Sequence, residues 1–314
     1  MSTYTDLLAR VDAGDVIVID GGTGTEIQRR GVAMDGDTWC AEANIGAPDV
    51  VRDVHTSYVD AGAELLIANT YATSPLLFDH LGRGDDVERI DRIAVGLAQQ
   101  AADGRVPIGG SISVMRPVVA GGGRSEIYRN WTEERARELY RRKAETMAAA
   151  GADVLVMEMM RDTDYSVWAT EAAVATGLPV WVGIAVERPA EIASHGSPVG
   201  AGLVGSGRPE CTAEAIVDAL AGLGPDLVAI MHSSPIDTGP ALDLVRSRTN
   251  VRLGVYPESG FFEMPDWRFV DIIDVDDLVA RTAGWIEQGA RVVGGCCGIS
   301  PDHIAALAAA FGRN

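Results

Sequence analysis

Arg291-Val292-Val293-Gly294-Gly295-Cys296-Cys297-Gly298 runs from an apolar segment through glycine into two adjacent cysteines. Neighbouring strand residues point to opposite faces, so these two side chains meet at one point only if the strand has ended in a turn. The flanking glycines permit that turn. The segment therefore reads as a buried strand whose C-terminal end carries chemistry. Two thiolates converging there form half of a soft-metal site, with zinc the default ion. The alternative is a pair of inert core cysteines.

The same pattern recurs along the chain: a short apolar run, a polar or glycine turn, then a helical stretch. Strands are predicted at residues 16–22, 64–70, 107–113, 153–159, 179–186, 226–232, 252–258 and 291–297. Most are continuous apolar runs, as parallel strands covered on both faces require. Helices are predicted at 48–61, 132–150, 212–223, 241–247, 275–288 and 301–311. Thr132, followed by Glu133 and Glu134, marks a helix start. Gly62, Gly151, Gly177 and Gly289 mark helix ends. Eight β/α alternations predict an α/β protein of one domain, a (β/α)8 TIM barrel over residues 1–314. An open doubly wound sheet is the alternative, but Gly21-Gly22-Thr23-Gly24 does not complete the G-x-G-x-x-G fingerprint. Residues 115–130 and 188–208 read as long loops, which in a barrel follow strands on the catalytic face.

Composition narrows the function. The 47% hydrophobic content supports a large core. The net charge of −19, from 26 basic against 45 acidic residues, argues against nucleic acid as a partner. A local site can still differ in sign from the whole surface. No apolar stretch reaches the eighteen or so residues that span a bilayer, so no membrane partner is expected. No signal peptide is read at the N-terminus. Four cysteines in 314 residues, two of them adjacent, do not make a disulfide framework, and the expected compartment is a reducing cytoplasm.

In a barrel the active site gathers at the C-terminal strand ends. Those ends read Asp20-Gly21-Gly22, Asn69-Thr70-Tyr71, Ser111-Ile112-Ser113, Glu158, Glu187, His232-Ser233-Ser234, Tyr256-Pro257-Glu258 and Cys296-Cys297. His232 ends the sixth strand and is the natural third metal ligand. Two Cys and one His leave a tetrahedral position open, as in catalytic rather than structural zinc sites. Cys211 and His195 are rival ligands, whereas Cys40, His55, His80 and His303 read as structural. Asp20 and Glu158 place two carboxylates at the pocket mouth, suited to a substrate ammonium group or to acid–base work. The amides of Gly21 and Gly22 suit a carboxylate, so a zwitterionic amino acid fits both features. Trp39 offers an aromatic face for an onium cation. Packing alone would account for Trp39 equally well, a turn cap for Asp20, and an ion pair with Arg161 for Glu158.

Across nearly the whole chain these residues resemble the homocysteine S-methyltransferases. That family includes betaine-dependent and S-methylmethionine-dependent enzymes and the homocysteine module of cobalamin-dependent methionine synthase. The matching segments are 20–26 (DGGTGTE), 54–63 (VHTSYVDAGA), Asn69-Thr70-Tyr71, Gly110-Ser111-Ile112, Glu158, 256–260 (YPESG) and 294–298 (GGCCG). The resemblance implies a zinc ion that binds the homocysteine sulfur, an enzyme that forms methionine, and a homo-oligomer. It implies roles for Asp20, Gly21, Gly22 and Glu158 in holding the amino acid. Trp39 matches an aromatic of the betaine-dependent branch, and Trp39 with Tyr71 suits the donor's cation. Three departures stand out besides the unlike region 114–130: Ser113 for the usual Gly, Met159 for the Thr that commonly follows the Glu, and His232 for the third cysteine ligand. Zinc with two thiolates and a neutral imidazole carries no net charge, against −1 with three thiolates. It is the stronger Lewis acid, so it should ionise a bound thiol more readily and leave it less nucleophilic.

The resulting expectation is a zinc-dependent S-methyltransferase. It moves a methyl group from a small sulfonium or quaternary ammonium donor to homocysteine or a related thiol or selenol. The alternatives are a barrel lyase or hydrolase with metal-activated water, and a non-catalytic binder of a thiol or sulfonium compound.

Overall fold

A computed structural model describes residues 3–117, 131–189, 202–263 and 268–312. Each of the eight predicted runs supplies a strand of one parallel sheet: β1 (Ile17–Val18), β2 (Leu66–Ile67), β3 (Ile108–Ser113), β4 (Val154–Met160), β5 (Val180–Ile184), β9 (Leu227–Met231), β10 (Arg252–Tyr256) and β13 (Ala290–Val293). Their order is β1-β13-β10-β9-β5-β4-β3-β2. The two end strands meet: Glu64 N–H donates to the Val18 carbonyl (2.7 Å) and Asp20 N–H to the Leu65 carbonyl (3.2 Å). These bonds close the sheet into the predicted (β/α)8 barrel.

Alternation along the strands sorts side chains into two cores. Ile17, Ile19, Leu65, Val154, Val156, Trp181, Leu227, Ala229 and Val292 fill the barrel. Their neighbours, such as Val18, Leu66, Leu155, Val182, Val228 and Val293, pack outward against helices. Helix α1 (Tyr4–Asp12) caps the N-terminal end, sending Tyr4, Leu7 and Val11 into the inner core. There the Trp181 indole N–H donates to the Tyr4 hydroxyl at 2.7 Å. That end is sealed, so any site falls at the other.

The outer layer comprises α2 (Thr23–Arg29), α3 (Ala43–Gly46), α4 (Pro48–Asp60), α5 (Pro75–His80), α6 (Asp86–Ala102), α7 (Glu133–Ala150), α8 (Tyr165–Val174), α9 (Ala213–Ala221), α10 (Pro235–Arg248), α11 (Val275–Glu287) and α12 (Pro301–Phe311). Thr132 caps α7, its side chain accepting from Arg135 N–H. Gly62, Gly151, Gly177 and Gly289 all have positive φ, as their reading as helix stops requires.

Two departures from the sequence reading bear on the site. Helix α10 begins six residues earlier than residue 241, because Pro235 starts it and Pro240 is accommodated in its second turn. The expected loop at 188–208 is partly a small antiparallel sheet, in which β6 (Val186–Glu187), β7 (Val204–Gly205) and β8 (Arg208–Thr212) pair in sequence. Residues 190–201 of that loop, and 118–130 of the other, lie outside the described residues. A further hairpin, β11 (Phe261–Glu263) with β12 (Arg268–Val270), follows β10. No helix among the described residues is long and apolar enough to cross a membrane.

Candidate metal centre and substrate cavity

The C-terminal ends of the strands surround a cavity of about 430 Å³. It brings together Gly21, Gly22, Trp39, Asn69, Tyr71, Glu158, His232, Cys296 and Cys297. Trp39, Met159 and His232 all line it with positive φ, a conformation that costs non-glycine residues energy and concentrates at functional sites.

His232, Cys296 and Cys297 form one cluster, with candidate ligand atoms all within 4.8 Å of one another. The cysteine turn is held on three sides. Gly295 N–H donates to the Asp20 carbonyl (3.1 Å), Cys296 N–H to the Pro257 carbonyl (2.9 Å), and the Cys297 carbonyl accepts from Ser259 N–H (3.0 Å). Gly298 makes the turn possible, with φ +84° and a Cβ position that would lie 2.1 Å from the Ser259 carbonyl oxygen. The two sulfurs stand 4.0 Å apart. The edge of a zinc tetrahedron with bonds of about 2.3 Å is about 3.8 Å, so the pair fits the ion. The hydrogen bond with Cys297 and burial hold the Cys296 thiol well above its ordinary pKa. Two crowded sulfurs resist ionising, and a divalent cation between them reverses that penalty.

His232 follows β9 directly and makes a contact that the sequence does not reveal. Its Nδ1 lies 2.8 Å from Glu258 Oε2, at the end of β10. Burial lowers the His232 pKa, but Glu258 and Cys296 outweigh it and raise the value to about 10. With Nδ1 engaged, Nε2 is left for a metal. A carboxylate on the far nitrogen of a ligating histidine fixes its tautomer and raises its basicity. Cys211 lies in β8, outside the cluster, and His195 lies outside the described residues. Cys40 lines the cavity, but its thiol donates to Asn69 Oδ1 (3.2 Å) and burial raises its pKa to about 12.

The two expected carboxylates separate. Glu158 lines the cavity and accepts from the Ser111 hydroxyl, not from Arg161. Burial pushes it up to about 7, against that hydrogen bond and the nearby His232. Asp20 lies behind the wall, 1% exposed, its Oδ2 accepting from Ile67 N–H at 2.8 Å. Burial, with Glu158 nearby, holds it well above its ordinary value despite that hydrogen bond. The mouth position expected for Asp20 is therefore corrected, because closure of the barrel draws its carboxylate inward. Gly22 lines the cavity, while its N–H donates to the Ile299 carbonyl (2.9 Å).

Also on the cavity wall, Trp39 and Tyr71 stand edge to face with centroids 6.2 Å apart. Tyr71 OH donates to Met159 Sδ at 2.6 Å. The register of β4 shifts between Met157 and Met160, a bulge that turns Met159 toward the cavity. The loop bearing Tyr71 is tied by buried Lys143, whose Nζ reaches the carbonyls of Thr70 (3.1 Å) and Thr73 (3.0 Å) and Asp91 Oδ1 (2.8 Å). Asn69 braces the same end by donating to the Cys40 carbonyl (3.2 Å) and Asn44 Oδ1 (3.1 Å).

A (β/α)8 barrel whose strand ends join a Cys-Cys-His cluster, able to hold a metal ion, to an aromatic and acidic cavity has the layout of a barrel enzyme. The homocysteine S-methyltransferase family model matches residues 17–311, and the chain belongs to that family. It is 28% identical to the homocysteine S-methyltransferase of Escherichia coli, over 98% of this chain and 99% of that protein. It is 26% identical to the S-methylmethionine–homocysteine S-methyltransferase of Rattus norvegicus, over 96% of this chain and 80% of that one. The metallated crystal structure of the homocysteine methyltransferase MmuM from Escherichia coli superposes with a TM-score of 0.75. It covers 96% of this chain and 98% of that one at 24% identity, a likeness of fold.

Proposed function

We propose that the protein is a zinc-dependent, cytoplasmic S-methyltransferase that methylates homocysteine from a sulfonium or quaternary ammonium donor. The observation that carries the reading is the convergence of His232, Cys296 and Cys297 in the cavity that also holds Glu158, Trp39 and Tyr71. Zinc, held by those three residues, would supply Lewis acidity that favours the ionised form of an acceptor thiol.

The remaining work falls to the chain. Glu158 receives the acceptor's ammonium group, with the Asp20 carboxyl buried nearby. Trp39 and Tyr71 face the donor's cationic centre, where ring faces attract positive charge that water would otherwise solvate. The acceptor sulfur attacks the methyl carbon in line, and the donor leaves as a neutral sulfide or amine. Holding both partners in that line accounts for much of the acceleration, because it removes the entropy cost of their encounter.

The test is to purify the protein with zinc present, measure bound metal, and assay transfer to homocysteine from S-methylmethionine and from betaine. About one zinc per chain and methionine formation from at least one donor are expected. Zinc without transfer to homocysteine would overturn the acceptor, and no retained zinc would overturn the mechanism.

A further inference from the structure

Just beyond Glu158, the cavity wall carries more buried positive charge than its paired carboxylates match. Arg161 follows β4, lines the cavity, and is 6% exposed. Its Nη1 donates to the Ser206 carbonyl (3.3 Å), while Nε has no hydrogen-bond partner among the described residues. Arg116 stands behind it, 2% exposed, also on the cavity wall. Its guanidinium lies 4.2 Å over the Tyr165 ring and donates from Nη2 to Asp162 Oδ2 (2.7 Å), leaving Nε and Nη1 without partners.

Asp162 is the buried carboxylate at the centre of this group, and both its oxygens are used. Asp162 Oδ2 also accepts from Arg208 Nη1 (2.8 Å), and its Oδ1 accepts from the Ser166 N–H (2.8 Å) and hydroxyl (3.0 Å). Arg208 has a second partner in Glu210, but Arg161 has no carboxylate within ion-pair distance among the described residues, and feels Asp162 only from further off. Burial and the neighbouring Arg116 push Arg161 down to about 10, so it stays charged at neutral pH. A buried, unmatched guanidinium is costly unless something completes it. The scaffold nevertheless holds it in place. Gly205 approaches so closely that a Cβ there would lie 1.9 Å from the Arg161 carbonyl oxygen, and the next residue, Ser206, accepts its hydrogen bond.

We propose that Arg161, backed by Arg116, is a subsite for the carboxylate of a substrate bound in this cavity. With Glu158 three residues earlier on the same strand end, the cavity then presents opposite charges to the two ends of a zwitterion. The subsite also takes over the part expected of Gly22, whose amide is engaged elsewhere. The carboxylate belongs to the methyl donor or to the acceptor, and matched ligands separate the two.

The experiment measures equilibrium binding to the zinc-loaded protein by calorimetry, using two pairs of compounds that differ only in the carboxylate. S-methylmethionine is compared with (3-aminopropyl)dimethylsulfonium, and homocysteine with 3-aminopropanethiol. The unsubstituted protein should prefer the carboxylate in at least one pair. In R161Q that preference should fall about tenfold to hundredfold, as for loss of a hydrogen bond to a charged group. The pair in which it falls identifies the source. R161K keeps the charge without the two-pronged donor, and should lose about threefold to tenfold; it carries the test if R161Q does not fold. Zinc content is measured in each variant, to separate the subsite from the metal centre. No carboxylate preference in the unsubstituted protein, or an undiminished preference in the variants, would overturn the proposal. It rests on the proposed methyl transfer only for its probes. Absence of turnover with the preference intact would sink that function and leave the subsite standing.

Discussion

Glu258 bonds His232 on the nitrogen opposite the one a metal would use, and this pairing changes how the His-for-Cys replacement should be understood. A neutral imidazole removes one negative charge from a three-thiolate site. A carboxylate hydrogen-bonded to that imidazole returns negative charge one bond away and aims the ring. Glu258→Gln should therefore weaken zinc binding about tenfold to hundredfold, read by competition with a chromophoric chelator. In a His232→Cys background the same change should cost little or even help, because the carboxylate then faces a thiolate. Equal losses in both backgrounds would show that Glu258 merely supports the fold. The sequence pointed to the candidate ligands and not to their support. His232, Cys296 and Cys297 share a topological position, the end of a strand, which can be counted along the chain. Glu258 and Arg161 gain their meaning from contacts across neighbouring strands, and those depend on register and on the rotation of each strand end.

Helix α4 shows a similar limit. Its matching segment includes His55, which is fully buried, with neither ring nitrogen hydrogen-bonded among the described residues. Burial lowers its pKa from 6.5 to about 4. The unfolded chain takes up a proton as the pH falls below about 6.5, whereas the folded chain resists until about 4. Stability from this residue is complete above pH 6.5 and is lost across that window, by up to about 3 kcal/mol. His55→Met should therefore flatten the fall in the urea midpoint between pH 7 and pH 5. An identical pH dependence in the variant would refute the assignment. Among whole elements, the strands were readable because a parallel strand buried on both faces is a continuous apolar run. Helix α6 was missed although its buried positions Val87, Ile90, Ala94, Ala98 and Ala101 recur at helical spacing. Helix α8 carries apolar residues on several faces, with Val174 exposed, and so gives no clear stripe. The β6–β8 sheet sits where glycine and proline suggested only loop.

The barrel divides its labour between its two ends. The N-terminal end is shut by α1 and by the Tyr4–Trp181 contact, and hydrogen bonds between the β1 and β2 segments complete the ring. The opposite rim joins residues that follow β9, β10 and β13, three adjacent strands, around the Cys-Cys-His cluster. Zinc should therefore tighten one rim of a barrel that is already folded, unlike a small domain whose folding depends on its metal. Chelated protein should keep its far-ultraviolet circular dichroism at 25 °C. Restoring zinc to about a thousandfold above its Kd should add about 4 kcal/mol, raising the melting temperature of a chain this size by roughly 5–10 °C. Cys297→Ser should lose most of that increment. Unfolding on chelation would make the ion a structural element, and a melting temperature indifferent to zinc would mean that the ion does not bind the folded cluster.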